Sequence, residues 1–193
     1  MTRIVLASNN AHKIAEINAL LDGSFEVISL KDTGITEDIP EPYHTFEENA
    51  LAKALYVYER TGLITFSEDS GLVVPALNGA PGVFSARYAG EPRSDERNTA
   101  KLLQELEGNT DRDAYYQTII CLAGSGQPQY FKGICEGSIA TTQSGNGGFG
   151  YDPVFIPKGY DQTFGQLPAE VKKAVSHRAK AMAQFIAFIK QGL

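Results

Sequence analysis

Glu68-Asp69-Ser70-Gly71 sets two carboxylates side by side just after the apolar run Leu63 to Phe66. If that run is a strand, the acids stand at its carboxyl end, where open α/β sheets bind ligands. Either acid there can accept a proton or hold a cation. Carboxylates suit Mg²⁺, which keeps several waters and takes one or two protein carboxylates beside substrate phosphates. Glu41, after Pro40, is a further candidate, equally readable as a solvated loop residue. Glu48 is another, although Thr45-x-x-Glu48 also has the form of a capping box. Ser8-Asn9-Asn10-Ala11-His12-Lys13 lies where a strand gives way to a helix. Unpaired N–H groups and the helix dipole favour a phosphate there, and Lys13 adds a point charge. A plain helix cap with a solvated Lys13 explains the same residues. No G-x-x-x-x-G-K-[ST] is present, which excludes a P-loop as the cradle.

Gly145-Asn146-Gly147-Gly148-Phe149-Gly150-Tyr151-Asp152-Pro153 packs four glycines into six positions before two aromatics and a carboxylate. Glycine lets backbone approach a ligand closely, and Phe149 and Tyr151 have rings that can stack on a flat base. A hairpin turn with core aromatics is the competing explanation. Lys172 and Ser176-His177-Arg178 add cations. On a continuous helix Lys172 and His177 point ~140° apart, so a shared pocket requires a break between them, with Ser176 as the cap of the second helix.

The elements that must position these residues are readable from periodicity. Ile4 to Ala7 is a short strand, and Ile14, Ile17 and Leu21 recur with helical spacing after it. Phe46, Ala50, Ala54 and Val57 mark one face of a second helix that stops at Gly62. Ser94-Asp95-Glu96 opens a third, with Leu102, Leu103 and Leu106 on its apolar face and Gly108 after it. Tyr115 to Leu122 and Tyr130 to Ala140 read as strands joined through Gly124-Ser125-Gly126-Gln127-Pro128, and Val154 to Ile156 as another. Ala179, Met182, Phe185, Ile186 and Ile189 form the apolar face of a final helix. The pattern is α/β, or a mixed α+β sheet, in a single domain over residues 1–193.

With 193 residues, 42% hydrophobic and 21% charged, the chain can bury a core without staples, and collagen, coiled coil and disorder are poor fits. Its formal net charge of −6 argues against nucleic acid or an anionic membrane as partner, so a phosphate-rich ligand needs a local basic pocket or a bound cation. Cys121 and Cys135 stand in no metal or redox pairing and are expected as buried thiols of a reducing compartment. The N-terminal apolar run is too short for a signal peptide, and no stretch approaches a membrane span. A cytoplasmic protein is expected.

Taken in order, these motifs resemble the inosine triphosphate pyrophosphatase family. The likeness runs through Ser8-Asn9-Asn10 to Lys13, Phe46-Glu47-Glu48-Asn49-Ala50 with Lys53, and Glu68-Asp69-Ser70-Gly71. It continues through Gly79-Ala80-Pro81-Gly82, Ser85-Ala86-Arg87-Tyr88, Gly147 to Pro153 and Ser176-His177-Arg178. Bacterial members often have Thr-Gly-Asn at Ser8-Asn9-Asn10 and Asp-Asp at Glu68-Asp69. The resemblance implies an elongated α/β fold with a long central mixed sheet, two lobes with a cleft between them, and a homodimer. It implies Mg²⁺-dependent hydrolysis of inosine, deoxyinosine or xanthosine triphosphate to the monophosphate and pyrophosphate. By matched position, Asp69 is the general base and a metal ligand, with Glu41 the second ligand. Ser8, Asn9, Asn10, Ala11, His12, Lys13, Lys53, Ser70, Phe149, Gly150, Tyr151, Asp152, Lys172, His177 and Arg178 line the nucleotide site.

Two other functions compete on the same residues, a purine-nucleotide-binding module without catalysis and a phosphatase that releases the terminal phosphate. Hypoxanthine and xanthine carry an oxygen at the 6-position, so donors such as His177 and Arg178 accept them and pair badly with adenine. On that reading Arg178→Ala collapses the preference for inosine over adenosine triphosphate.

Overall fold

The computed structural model describes residues 2–21 and 25–192, the side chain of Thr2 excepted. Strand β1 (Thr2–Leu6) buries Ile4, Val5 and Leu6 in succession, as a parallel strand covered on both faces does. It pairs in parallel with β2 (Phe25–Ser29) and with β3 (Thr65–Val73). Helix α1 (Ala11–Leu20) starts where Asn10 Oδ1 accepts the Lys13 N–H at 3.1 Å. Helix α2 (Phe46–Thr61) starts at Thr45, whose hydroxyl accepts the Glu48 N–H at 3.2 Å and donates to Glu48 Oε2 at 2.7 Å. Glu48 is therefore an exposed cap residue. The helix stops at Gly62, where φ is +67° and the N–H donates to the Tyr58 carbonyl.

Helix α3 (Asp95–Glu105) is capped by Ser94 and followed by β4 (Asp113–Ala123), β5 (Gln129–Ile139) and β6 (Phe155–Pro157). Helix α4 (Ala169–Val175) and helix α5 (His177–Ile189) complete the chain, with Ser176 extended between them at φ −65° and ψ 156°. The expected break between Lys172 and His177 is thus present. Hydrogen-bonded neighbours run β2-β1-β3-β4-β5-β6, with β6 antiparallel to β5, so the sheet is mixed and the fold α/β as expected.

Two strands depart from the sequence reading. β2 was not anticipated. β3 does not end at Phe66 but continues to Val73, so Glu68 and Asp69 lie inside the strand and not beyond its end. The reason is burial: Leu72, Val73 and Val74, which follow Gly71, are all core residues.

By contact density the chain forms two compact units. The first comprises Met1–Asp69, Thr118–Gly133 and Arg178–Leu193, the second Ser70–Gln117 and Ile134–His177. In the first, Ile4, Leu6, Ile17 and Phe66 pack against Met182, Phe185 and Ile189 of α5, with the Phe66 and Phe185 rings stacked at 4.8 Å. Val5, Ile28, Leu30 and Val57 form a separate cluster under α2. In the second, Leu72, Leu102, Leu106, Tyr116, Tyr151, Phe155 and Phe164 form the core. Each fully buried Leu, Ile, Phe or Met side chain contributes about 1.5–3 kcal/mol. Among the described residues no helix is long and apolar enough to cross a membrane.

Both cysteines are buried. Burial pushes the Cys121 thiol up to about 12, with a hydrogen bond to Tyr130 acting in the opposite direction. The stability due to the neutral thiol is therefore complete below its ordinary value of 9.0 and is lost as pH rises through about 12. Urea unfolding of wild type and Cys121→Ala across this range checks it. The stability of wild type relative to the variant is expected to fall above pH 9.0, and a constant difference refutes the assignment.

Candidate active site

Successive β3 side chains point to opposite faces of the sheet, and this alternation separates the two acids. Phe66 faces α5, so Glu68 does too, and there its carboxylate receives Arg178 of α5 in a two-pronged contact. Nε donates to Oε2 at 2.6 Å and Nη2 to Oε1 at 2.7 Å, while Nη1 donates to Glu16 of α1. Lys13 Nζ approaches Glu68 Oε1 at 3.3 Å. On the opposite face Ser67 donates to the Ala50 carbonyl of α2, and Asp69 lies 3.7 Å from Lys53 of the same helix. Lys53 also donates to Glu41 and to the Glu68 carbonyl oxygen, the latter at 2.7 Å. Asn49 holds the chain after Glu41, accepting from the Tyr43 N–H at 3.0 Å and donating to the Tyr43 carbonyl at 3.1 Å.

Burial is the main influence on Asp69 and raises its pKa above the ordinary carboxylate value. Lys53 and Lys13 act in the lowering direction, and Glu41 adds to the rise. At Arg178 burial opposes the charge, but Glu68 and Glu16 more than offset it and hold the pKa above its usual value.

Ser8 accepts the Asn10 N–H at 3.2 Å, and Asn9 and Asn10 are exposed. Ala11 and His12 occupy the exposed first turn of α1, with Lys13 half-buried after them. The first unit thus gathers Ser8 to Lys13, Glu16, Glu41, Lys53, Glu68, Asp69 and Arg178. Ser70 is the next residue of β3 and opens the second unit, half-buried. Glu41 and Asp69 are hard oxygen donors drawn onto one ammonium, which shows that the pair attracts a cation. Two carboxylates suit Mg²⁺, which takes few protein oxygens and completes its shell with water and phosphate. Among the described residues no set of three or more His, Cys, Asp or Glu forms an all-protein metal cage.

The second unit carries the aromatic and glycine-rich residues. Asp152, itself buried, accepts from the Phe149 N–H at 2.9 Å and from Lys172 Nζ at 2.6 Å. Lys172 Nζ lies 4.5 Å from the centre of the half-buried Phe149 ring. Gly148 has φ +74°, and a Cβ there would meet Asp152 Oδ2 at 1.9 Å, so only glycine fits the turn. The Gly150 N–H donates to Asp95 Oδ2 at 2.6 Å.

Three of the expected site residues, Tyr151, His177 and Arg178, are buried. The Tyr151 ring is part of the core and its hydroxyl donates to the Ser85 carbonyl at 2.8 Å. The Arg178 guanidinium is committed to Glu68 and Glu16. His177 is buried with its ring stacked on Tyr116. Glu16, Asn49, Asp95 and Tyr116 had been given no role in the site. Glu16 carried a usable signal, one helical turn from Lys13 on the same face, and Asn49 lies in the motif Phe46-Glu47-Glu48-Asn49-Ala50.

Residues 4–188 match the family model of the Ham1 family. The dITP/XTP pyrophosphatase of Flavobacterium psychrophilum is 50% identical over 188 residues, which span 97% of this chain and 99% of that protein. The solved structure of a HAM1 protein from Coxiella burnetii aligns at TM-score 0.93 and 39% identity, covering 100% of both chains. That of the Staphylococcus aureus Ham1 protein aligns at 0.91 and 40%, covering 98% of this chain and 99% of its own.

Proposed function

The chain belongs to the Ham1 family, and from that premise we propose that it hydrolyses inosine, deoxyinosine and xanthosine triphosphates to the monophosphate and pyrophosphate. The observation that carries the reading is Asp69, a buried carboxylate in a rigid strand with Lys53 and the Glu41 loop around it. Its similarity to dITP/XTP pyrophosphatases supports the same chemistry.

Glu41 and Asp69 would hold Mg²⁺, which when bound offsets charge on the leaving pyrophosphate and makes a coordinated water easier to deprotonate. Asp69 accepts the proton of the attacking water. Lys13, Lys53 and the amides at the start of α1 hold the phosphates against a net charge of −6. In the second unit Phe149 stacks on the base. Lys172 and His177 donate to its 6-oxygen, while Asp152 fixes both Lys172 and the Phe149 backbone. The whole chain serves as one catalytic domain, and the homodimer follows from the family resemblance. Two buried cysteines fit a cytoplasmic setting.

A panel of inosine, deoxyinosine, xanthosine, guanosine and adenosine triphosphates, with products separated by ion chromatography, tests the proposal. Monophosphate and pyrophosphate are expected from the first three, with turnover lost on chelation by EDTA and restored by Mg²⁺. Orthophosphate with a diphosphate product would identify a terminal phosphatase, and binding without turnover a nucleotide-binding module.

A further inference from the structure

His177 is the first residue of α5 and follows an extended Ser176. Its imidazole lies almost parallel to the Tyr116 ring, with centroids 4.7 Å apart and planes 8° apart. Tyr116 cannot swing away, because Phe155 packs against it at 4.7 Å with a 59° tilt and both belong to the buried core. A backbone hydrogen bond also joins Tyr151 to the Tyr116 hydroxyl, inside the segment that carries Phe149 and Asp152. A β4 side chain outside every sequence motif therefore touches two separate stretches of the candidate base site.

We propose that Tyr116 is a specificity-positioning residue, its ring setting the plane of the His177 imidazole. The physical reason is directional. An imidazole N–H lies in the plane of its ring, and a hydrogen bond prefers an angle above ~150° and weakens steeply below ~120°. A tilted imidazole misaims its donor, whereas stacking on a clamped aromatic holds the plane without using either ring nitrogen. Tyr116 acts through His177 and touches neither base nor phosphate. This inference rests on the proposed function, which places the 6-oxygen of the base on His177.

The test combines kinetics with NMR. Tyr116→Leu is expected to lower the kcat/KM ratio of inosine over adenosine triphosphate by ~3–10-fold, carried by KM for the inosine nucleotide. Tyr116→Phe restores the ring and is expected to recover the ratio to within ~2-fold of wild type. On a His177→Ala background, Tyr116→Leu is expected to cause no further loss of the ratio. An unchanged ratio in Tyr116→Leu, or an equal further loss in the double variant, overturns the proposal. If Tyr116→Leu does not fold, Tyr116→Met replaces it with the same expected and overturning results.

The His177 imidazole proton shifts report the stack independently of turnover. The ring-current displacement is expected to persist in Tyr116→Phe and vanish in Tyr116→Leu, and its presence in Tyr116→Leu overturns the proposal. A wild type that hydrolyses no triphosphate refutes the functional reading while the NMR arm still decides whether Tyr116 sets the imidazole.

Discussion

Asp69→Asn lowers kcat for pyrophosphate release by ~10²–10⁴-fold, the usual weight of general-base assistance, and leaves nucleotide binding nearly intact. The amide preserves the shape of the carboxylate in a strand with no room for a larger change, but it neither accepts the water's proton nor serves Mg²⁺ well. Binding survives because the substitution removes a negative charge near Lys53 and Lys13, which favours an anionic ligand. Calorimetry with the inosine nucleotide and steady-state kinetics on the same preparation measure both parts. Activity within a few-fold of wild type would remove Asp69 from the mechanism.

Arg178→Ala is expected to act on the fold before it acts on selectivity. Arg178 is 1% exposed and joins Glu68, 2% exposed, to Glu16. Deleting it leaves Glu68 buried with Lys13 at 3.3 Å as a weaker, single-pronged partner. Breaking a buried ion pair from one side destabilises by about 3–5 kcal/mol, and each kcal/mol lowers Tm by roughly 2–4 °C in a chain of this size. Glu68 also anchors the strand that holds Asp69, so kcat/KM should fall for inosine and adenosine triphosphates alike. Urea unfolding together with both kcat/KM values is the check. A collapsed nucleotide preference in a protein of undiminished stability would return Arg178 to the base site, the role that sequence alone suggested.

Local features were the most legible in the sequence. The caps Thr45 and Ser94, the stop at Gly62 and the break at Ser176 depend on residues within a turn of each other, and each is where its chemistry placed it. β3 was misjudged because Glu68-Asp69-Ser70-Gly71 is polar enough to mimic a strand end, and only tertiary burial of Leu72 to Val74 shows that the strand continues. The role of Arg178 was beyond local reasoning, since its carboxylate partners lie 110 and 162 residues away. Tyr151 resembled a stacking residue in its motif but became a core residue through Ser85, 66 positions earlier.

The placement of the acids in β3 and of the residues proposed to hold the base elsewhere gives the protein two very different tolerances to mutation. At Glu68 and Asp69 a replacement disturbs packing, charge and chemistry at once, because the strand is buried along nearly its whole length. Phe149 sits half-buried on a glycine turn, where the side chain varies with less effect on folding, whereas Lys172 is held by the buried Asp152. Variants at Phe149 can explore new purine preferences in proteins that still fold and still cleave, whereas changes in β3 cost folding, cleavage or both. Substrate range is thus the evolvable property of this architecture, and its hydrolytic chemistry the constrained one.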